Sequence, residues 1–204
     1  NWGSAIATKI GINAAACDDF EDRVYMYVYE EYVKETSDGT WERPARGAQP
    51  PLGKTWIEMG YRPLTEVINA LHENVIYLPG VPLPHNIVAC PDIKTCVTGA
   101  SMMVFVIPHN FLAPIVPKME AAFAEGAIGC SLIKGIEFDK DCDHKPILIS
   151  DLLQTEMKKG ITGDWDVDMS VLMGANVANE VAKGDFAEAT VGSTSPEVGL
   201  KWCK

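Results

Sequence analysis

Long hydrophobic runs are missing from this chain. The longest, residues 102–108, falls far short of the ~20 apolar residues that a membrane-spanning helix needs, so it suits a buried strand and no membrane partner is expected. Positive charge is scarce too: 17 Lys and Arg against 28 Asp and Glu give a formal net charge of -11. That balance excludes general nucleic-acid binding, which depends on neutralising phosphates with basic side chains. It leaves room for one small anionic ligand, because a local lysine and a helix N-terminus hold a phosphate even inside an acidic protein. The C-x-x-C spacing is absent among the six cysteines, Cys17, Cys90, Cys96, Cys130, Cys142 and Cys203. Several lie in apolar contexts, where free cysteine packs as a small hydrophobe, and the pattern favours a reducing compartment over a disulfide framework. Cys142-Asp143-His144 suggests a metal, but no second cluster at ligand spacing completes it. No metal is expected, and that stretch reads as a solvated loop. Signal-peptide patterning, internal repeats and low-complexity tracts are missing as well.

What is present is a globular composition and a length that suits one core, or one core plus an appendage. Residues 2–15 alternate apolar and small residues at helical spacing, with Gly3, Ala5 and Ala7 leaving room for close packing. The β-branched and aromatic run 23–29 reads as a strand ending in Glu30-Glu31. Residues 35–62 are dense in Gly and Pro and read as a long loop. Trp41 and Trp56 either pin that loop to a partner or belong to a plain surface loop. Helices are expected at 64–73, 111–123, 147–158 and 177–183, and strands at 86–90, 102–107, 128–133, 169–173 and 186–191. Pro114 and Pro117 stand near the start of the second of these helices, where a first turn tolerates proline. The alternation implies an α/β fold with a parallel sheet.

Two short motifs each close an apolar run. Ser131-Leu132-Ile133-Lys134-Gly135 follows one strand, and Gly174-Ala175-Asn176-Val177-Ala178-Asn179-Glu180 follows another. Ligands sit at the carboxyl ends of strands in a parallel sheet, so the lysine and the asparagine face one crevice. Lysine there stabilises negative charge on a ketone oxygen or binds a substrate phosphate, provided the place is partly desolvated; a surface lysine is the competing reading. Asn176 is a plausible N-cap of the helix after it. A 2′-phosphate at Glu30 and Glu31 meets two negative charges and no arginine, which suits NAD over NADP; a solvated strand end is the other reading. His109 has no nearby carboxylate to orient it and reads as structural.

Together with Asn1-Trp2-Gly3-Ser4-Ala5 at the start, these motifs resemble the NAD-dependent glycerol-3-phosphate dehydrogenases. Over residues 1–192 the resemblance implies a Rossmann-like, doubly wound parallel sheet that binds NAD, interrupted by 35–62 as an insertion. Residues 193–204 then begin a connection to a C-terminal helical domain. The chain is expected to be cut at both ends, with residue 1 inside the phosphate loop, Gly3 the one glycine left of three, and the first strand missing. The resemblance assigns Asn1, Trp2 and Gly3 to the cofactor phosphates, Tyr29 to the adenine region, and Phe111 and Ala178 to cofactor contacts. Lys134 touches cofactor and substrate, and Asn176 reaches the substrate region; the main catalytic lysine lies in the helical domain. The implied reaction interconverts dihydroxyacetone phosphate and sn-glycerol 3-phosphate by hydride transfer, in a cytoplasmic enzyme that is a homodimer at full length. This chain alone is expected to be inactive. Two rivals stay open: another two-domain NAD-dependent dehydrogenase, separable by the residues after Lys204, and a non-catalytic nucleotide-binding module that uses 35–62 as a partner site.

Overall fold

A computed structural model describes residues 1–138 and 145–204, so the Cys142-Asp143-His144 stretch lies outside the described residues. In chain order the elements are α1 (Trp2–Ala16), β1 (Val24–Tyr27), β2 (Tyr32–Glu35), β3 (Trp41–Glu42), β4 (Arg62–Pro63), α2 (Leu64–Leu71), β5 (Ile87–Cys90), α3 (Ile93–Val97) and β6 (Met102–Phe105). They continue with α4 (Leu112–Ile115), β7 (Ile128–Ser131), β8 (Glu137–Phe138), β9 (Pro146–Ile147), α5 (Ile149–Lys158), β10 (Asp168–Met173), α6 (Ala178–Lys183), β11 (Thr190–Gly192) and α7 (Pro196–Lys201). The chain forms two compact units. Residues 1–92 with 177–186 make the first, and residues 93–176 with 187–204 the second.

In the first unit β1 and β5 pair in parallel, Val24 opposite Ile87 and Tyr27 opposite Cys90. Helix α1 buries Ser4, Ala5, Ala7, Thr8, Gly11 and Ala14, one face at helical spacing. Gly11, not Gly3, makes the close approach: a Cβ at Gly11 would stand 2.8 Å from Ile87 Cδ1, whereas one at Gly3 would meet nothing within 4 Å. Ala5 is fully buried with Leu78, Val81, Ala178 and Ala182. Leu64, Val67 and Ile68 of α2 pack with Val33, Val75, Leu83 and Ala89. Asn69 clamps β5 from α2: its Nδ2 donates to the Ala89 carbonyl (2.9 Å) and its Oδ1 accepts the Ala89 N–H (2.8 Å).

Residues 35–62 are not the structureless loop that their Gly and Pro content suggests. Their ends build a three-stranded antiparallel sheet, with β2 central between β3 and β4. The hairpin tip is tied by Asp38, whose carboxylate accepts from the Thr36 and Thr40 hydroxyls and the Thr40 N–H. These bonds favour the ionised form and pull the Asp38 pKa down to about 2. Local side-chain bonding of this kind replaces the ladder that Gly and Pro cannot extend.

The second unit holds a four-stranded sheet in the order β11-β10-β7-β6. Strands β6, β7 and β10 run parallel, as a parallel sheet implies, while β11 alone among these four runs antiparallel, to β10. Its core gathers Met103, Phe105, Leu112, Val116, Met119, Phe123, Ile133, Leu153, Met157, Val167 and Met169. Helix α5 faces it with Ile149, Leu153 and Met157, spaced four residues apart. The single helix expected at 111–123 is instead a 3₁₀ turn (His109–Phe111), the short α4 and a second 3₁₀ turn (Val116–Met119). Proline has no N–H and clashes with the turn before it, so Pro117 ends α4 and restarts the chain in a tighter turn. Helix α3 had no periodic signal in the sequence, being only five residues long.

Candidate functional site

In the first unit the start of α1 is open. Asn1 makes no side-chain cap, and no acidic residue stands in the first turn. Backbone N–H groups there have no partner inside the helix and carry the positive end of its dipole. With nothing within 4 Å of where a Gly3 Cβ would be, a ligand can approach the backbone closely. Ser4 anchors this turn, because Asn74 Nδ2 donates to its Oγ at 2.9 Å and Asn74 Oδ1 accepts the Tyr77 N–H.

After β1 the chain presents Tyr29, 75% exposed. The two glutamates that follow do different things. Glu30 accepts from the Thr65 N–H (3.1 Å) and hydroxyl (2.5 Å), so its carboxylate sits on the first turn of α2 and complements that dipole. Glu31 is met by a cation: Arg43 Nη1 donates to its Oε1 at 3.1 Å and to the Tyr77 hydroxyl at 2.6 Å, and Tyr77 donates to Glu31 Oε2. The Arg43 guanidinium also lies 5.5 Å from the Tyr77 ring centroid. Burial first, then the bond to Glu31, raises the Tyr77 pKa and keeps the phenol protonated. The expectation that no arginine stands near these glutamates is therefore corrected. Arg43 is twelve residues beyond Glu31, inside the Gly- and Pro-rich segment, where no local pattern marks it. An unpaired acid at a strand end was the one hint of a missing cation.

The second unit brings three motifs to one end of its sheet. Strands β6, β7 and β10 are parallel neighbours, with Phe105 opposite Ser131 and Ser131 opposite Val171. Their following segments, which carry Phe111, Lys134 and Asn176, therefore leave the sheet at the same carboxyl end. Ile133 is buried, and Lys134 beside it is exposed, which corrects the partly desolvated place expected for its ammonium. Gly135 holds the turn. Its φ is +152°, and a Cβ there would stand 2.9 Å from His109 Nδ1. His109 thus packs against the lysine turn. Phe111 is 46% exposed two residues on.

Asn176 does not cap α6. The N-cap is Val177, without a side-chain bond. The Asn176 amide instead donates to the Glu188 carbonyl at 2.8 Å, and Gly174 makes room, since a Cβ there would be 2.4 Å from that same oxygen. A residue two positions before a helix is too early to reach its first N–H groups while it spans to 188. Ala178, in the first unit, is buried against Ala5. A cleft of about 530 Å³ in the second unit is lined by Asp151, Asp166, Asp168 and Thr194 among others, and includes none of Phe111, Lys134 and Asn176. Its acidity suits no phosphate. Among the described residues no group of three or more His, Cys, Asp and Glu could hold a metal ion, no disulfide forms, and no helix is long and apolar enough to cross a membrane.

Comparison with known proteins bears on this geometry. The family profile described as NAD-dependent glycerol-3-phosphate dehydrogenase N-terminus matches residues 1–199. The cytoplasmic NAD(+) glycerol-3-phosphate dehydrogenase of Rattus norvegicus is 39% identical over 199 residues, covering 98% of this chain and 46% of that protein. The Drosophila melanogaster protein of the same description is 40% identical, covering 98% of this chain and 45% of its own length. A solved glycerol-3-phosphate dehydrogenase from Saccharomyces cerevisiae superposes with a TM-score of 0.72 at 30% identity, covering 96% of this chain and 45% of the other. The chain spans somewhat less than half the length of these relatives.

Proposed function

The chain belongs to the NAD-dependent glycerol-3-phosphate dehydrogenase family, and from that premise we propose that it is the NAD-binding part of an enzyme interconverting dihydroxyacetone phosphate and sn-glycerol 3-phosphate. The observation that carries this reading is the lysine turn, where His109 packed on Gly135 holds an exposed Lys134 at the carboxyl end of a buried parallel strand. Residues 1–192 act as the cofactor domain in this proposal, and 193–204 lead toward a helical domain that carries the main catalytic lysine. The relatives named cytoplasmic support a cytoplasmic place, and the family resemblance supports a homodimer at full length.

The residues present fit a dinucleotide. The open first turn of α1 and the empty space at Gly3 suit a pyrophosphate, with Asn1, Trp2 and Gly3 around it. Tyr29 offers an exposed ring for adenine; the family resemblance adds Ala178 in the first unit and Phe111 in the second as cofactor contacts. When bound, NAD supplies the two-electron hydride chemistry. The protein's share is charge and position. Lys134 binds the substrate phosphate or offsets negative charge growing on the carbonyl oxygen. Asn176, its amide fixed on Glu188, orients the substrate beside it.

The test is the full-length protein mixed with dihydroxyacetone phosphate and NADH. NADH absorbance falls only when both are present, and calorimetry shows NADH bound without substrate. If NADH does not bind and the ketone is not reduced, the reading is wrong.

A further inference from the structure

The first unit holds a guanidinium where the sequence offered only acids. Arg43 stands 3.1 Å from Glu31, four residues after β1 ends, and shares Tyr77 with it. The end of the second strand of a dinucleotide fold is where the adenosine ribose is read: a carboxylate accepts from the 2′-hydroxyl, or an arginine takes a 2′-phosphate. Here both groups occupy one cluster, and each is the other's partner. Glu30 is not in competition, being held on α2 by Thr65.

We propose that Arg43 is a cofactor-specificity residue: a ready-made ligand for a ribose 2′-phosphate that Glu31 keeps occupied, so that the pair decides between NAD and its 2′-phosphorylated form. The inference rests on the nucleotide-binding reading above. Its physical basis is the balance of charge at one point. With Glu31 ionised and bound to Arg43, an incoming 2′-phosphate meets a carboxylate and must displace it from the guanidinium. An unphosphorylated ribose needs neither and finds an acceptor in Glu31. The pair is partly solvated, with side-chain exposures of 49% for Arg43 and 25% for Glu31. Pairs of that kind contribute little to folding, so the cluster can be rewired without loss of the fold. The guanidinium also keeps its second anchor, Tyr77, which is itself tied through Asn74 to the start of α1. Removing Glu31 therefore leaves Arg43 in place with an open valence. Arginine takes phosphate in a bidentate grip that lysine does not match.

The experiment uses the full-length protein and two probes that differ only at the 2′ position, 5′-AMP and adenosine 2′,5′-bisphosphate, measured by calorimetry. Glu31→Gln is expected to tighten the bisphosphate about 10- to 100-fold while 5′-AMP moves within about threefold. The ratio of kcat/KM for NADPH over NADH rises by a similar factor. In Glu31→Gln/Arg43→Gln the gain disappears, which assigns it to the guanidinium and not to lost repulsion. Two results overturn the proposal: the probes moving together, or not at all, in Glu31→Gln, and the double variant keeping the gain. Wild-type protein that binds neither NADH nor 5′-AMP overturns the underlying nucleotide reading instead, and the two failures are told apart by that first titration. Arg43→Gln alone gives a further check that does not depend on Glu31→Gln folding. It is expected to leave the bisphosphate as weak as in wild type or weaker, and a tightening refutes the role of Arg43.

Discussion

The two units are built on opposite plans. In the second, strands buried in a dense apolar cluster set the positions, and the chemistry-bearing residues are carried on turns at the ends of those strands. In the first, the sheets are small, one of two strands and one of three, and side-chain amides and carboxylates share with the apolar clusters the setting of positions: Asn74 on Ser4, Asn69 on Ala89, Glu30 on Thr65 and Glu31 on Arg43 and Tyr77. Apolar packing is insensitive to small changes of charge and severe about volume. Polar latches are the reverse. The region proposed to meet the cofactor's charged half is thus the one whose geometry depends on protonation and pairing.

The comparison can be broken most sharply at Lys134. In the full-length enzyme Lys134→Ala should lower kcat/KM by about 100-fold or more, since the strand end delivers that charge. Turnover close to wild type would leave the second unit a scaffold with no chemical role. A volume change tests the packing plan itself. Leu153 is fully buried on α5, and Leu153→Ala is expected to cost about 2–5 kcal/mol, read from urea unfolding. A loss much below that range would mean this core is looser than its burial implies.

On the polar plan, Asn74→Ala strands the buried Ser4 hydroxyl and the Tyr77 N–H. The expected loss is smaller, about 1–3 kcal/mol, with weaker NADH binding because the start of α1 loses its anchor. Stability falling with NADH affinity unchanged would separate that latch from the cofactor site. The smallest effect belongs to Asp38. Its folded pKa of about 2 lies below the usual 3.8, so its contribution is complete above the usual value and is lost as pH falls through 2. Following the Thr40 amide by NMR should show a midpoint near 2, and a midpoint near 4 would mean the hydroxyl bonds do not form in solution.

Legibility followed the same division. Residues 102–105, 128–131 and 169–173 were readable as strands because β-branched and apolar runs with turns at their ends encode burial locally. The lysine motif and the glycine-led asparagine motif were found by position alone, since a strand's carboxyl end is a local property. What could not be read was pairing across distance. Arg43 meets Glu31, Thr65 meets Glu30, and Asn176 reaches Glu188, none within one turn of chain. Asn176 looked like a helix cap because that motif is defined by the next four residues; the bond it makes lies twelve residues away. The break of 109–119 into three short pieces was foreshadowed by Pro114 and Pro117, but its geometry is set by what Leu112, Val116 and Met119 bury.

The Asn69 clamp on Ala89 bears on how copies of the protein behave in a crowded solution. A bare sheet margin is a template on which a stranger's backbone can dock, and from there an aggregate grows. At Ala89 both main-chain groups are already taken by a single amide that belongs to a helix and cannot propagate. That margin thus ends in a side chain that imitates one residue of a strand and offers nothing for the next strand to copy.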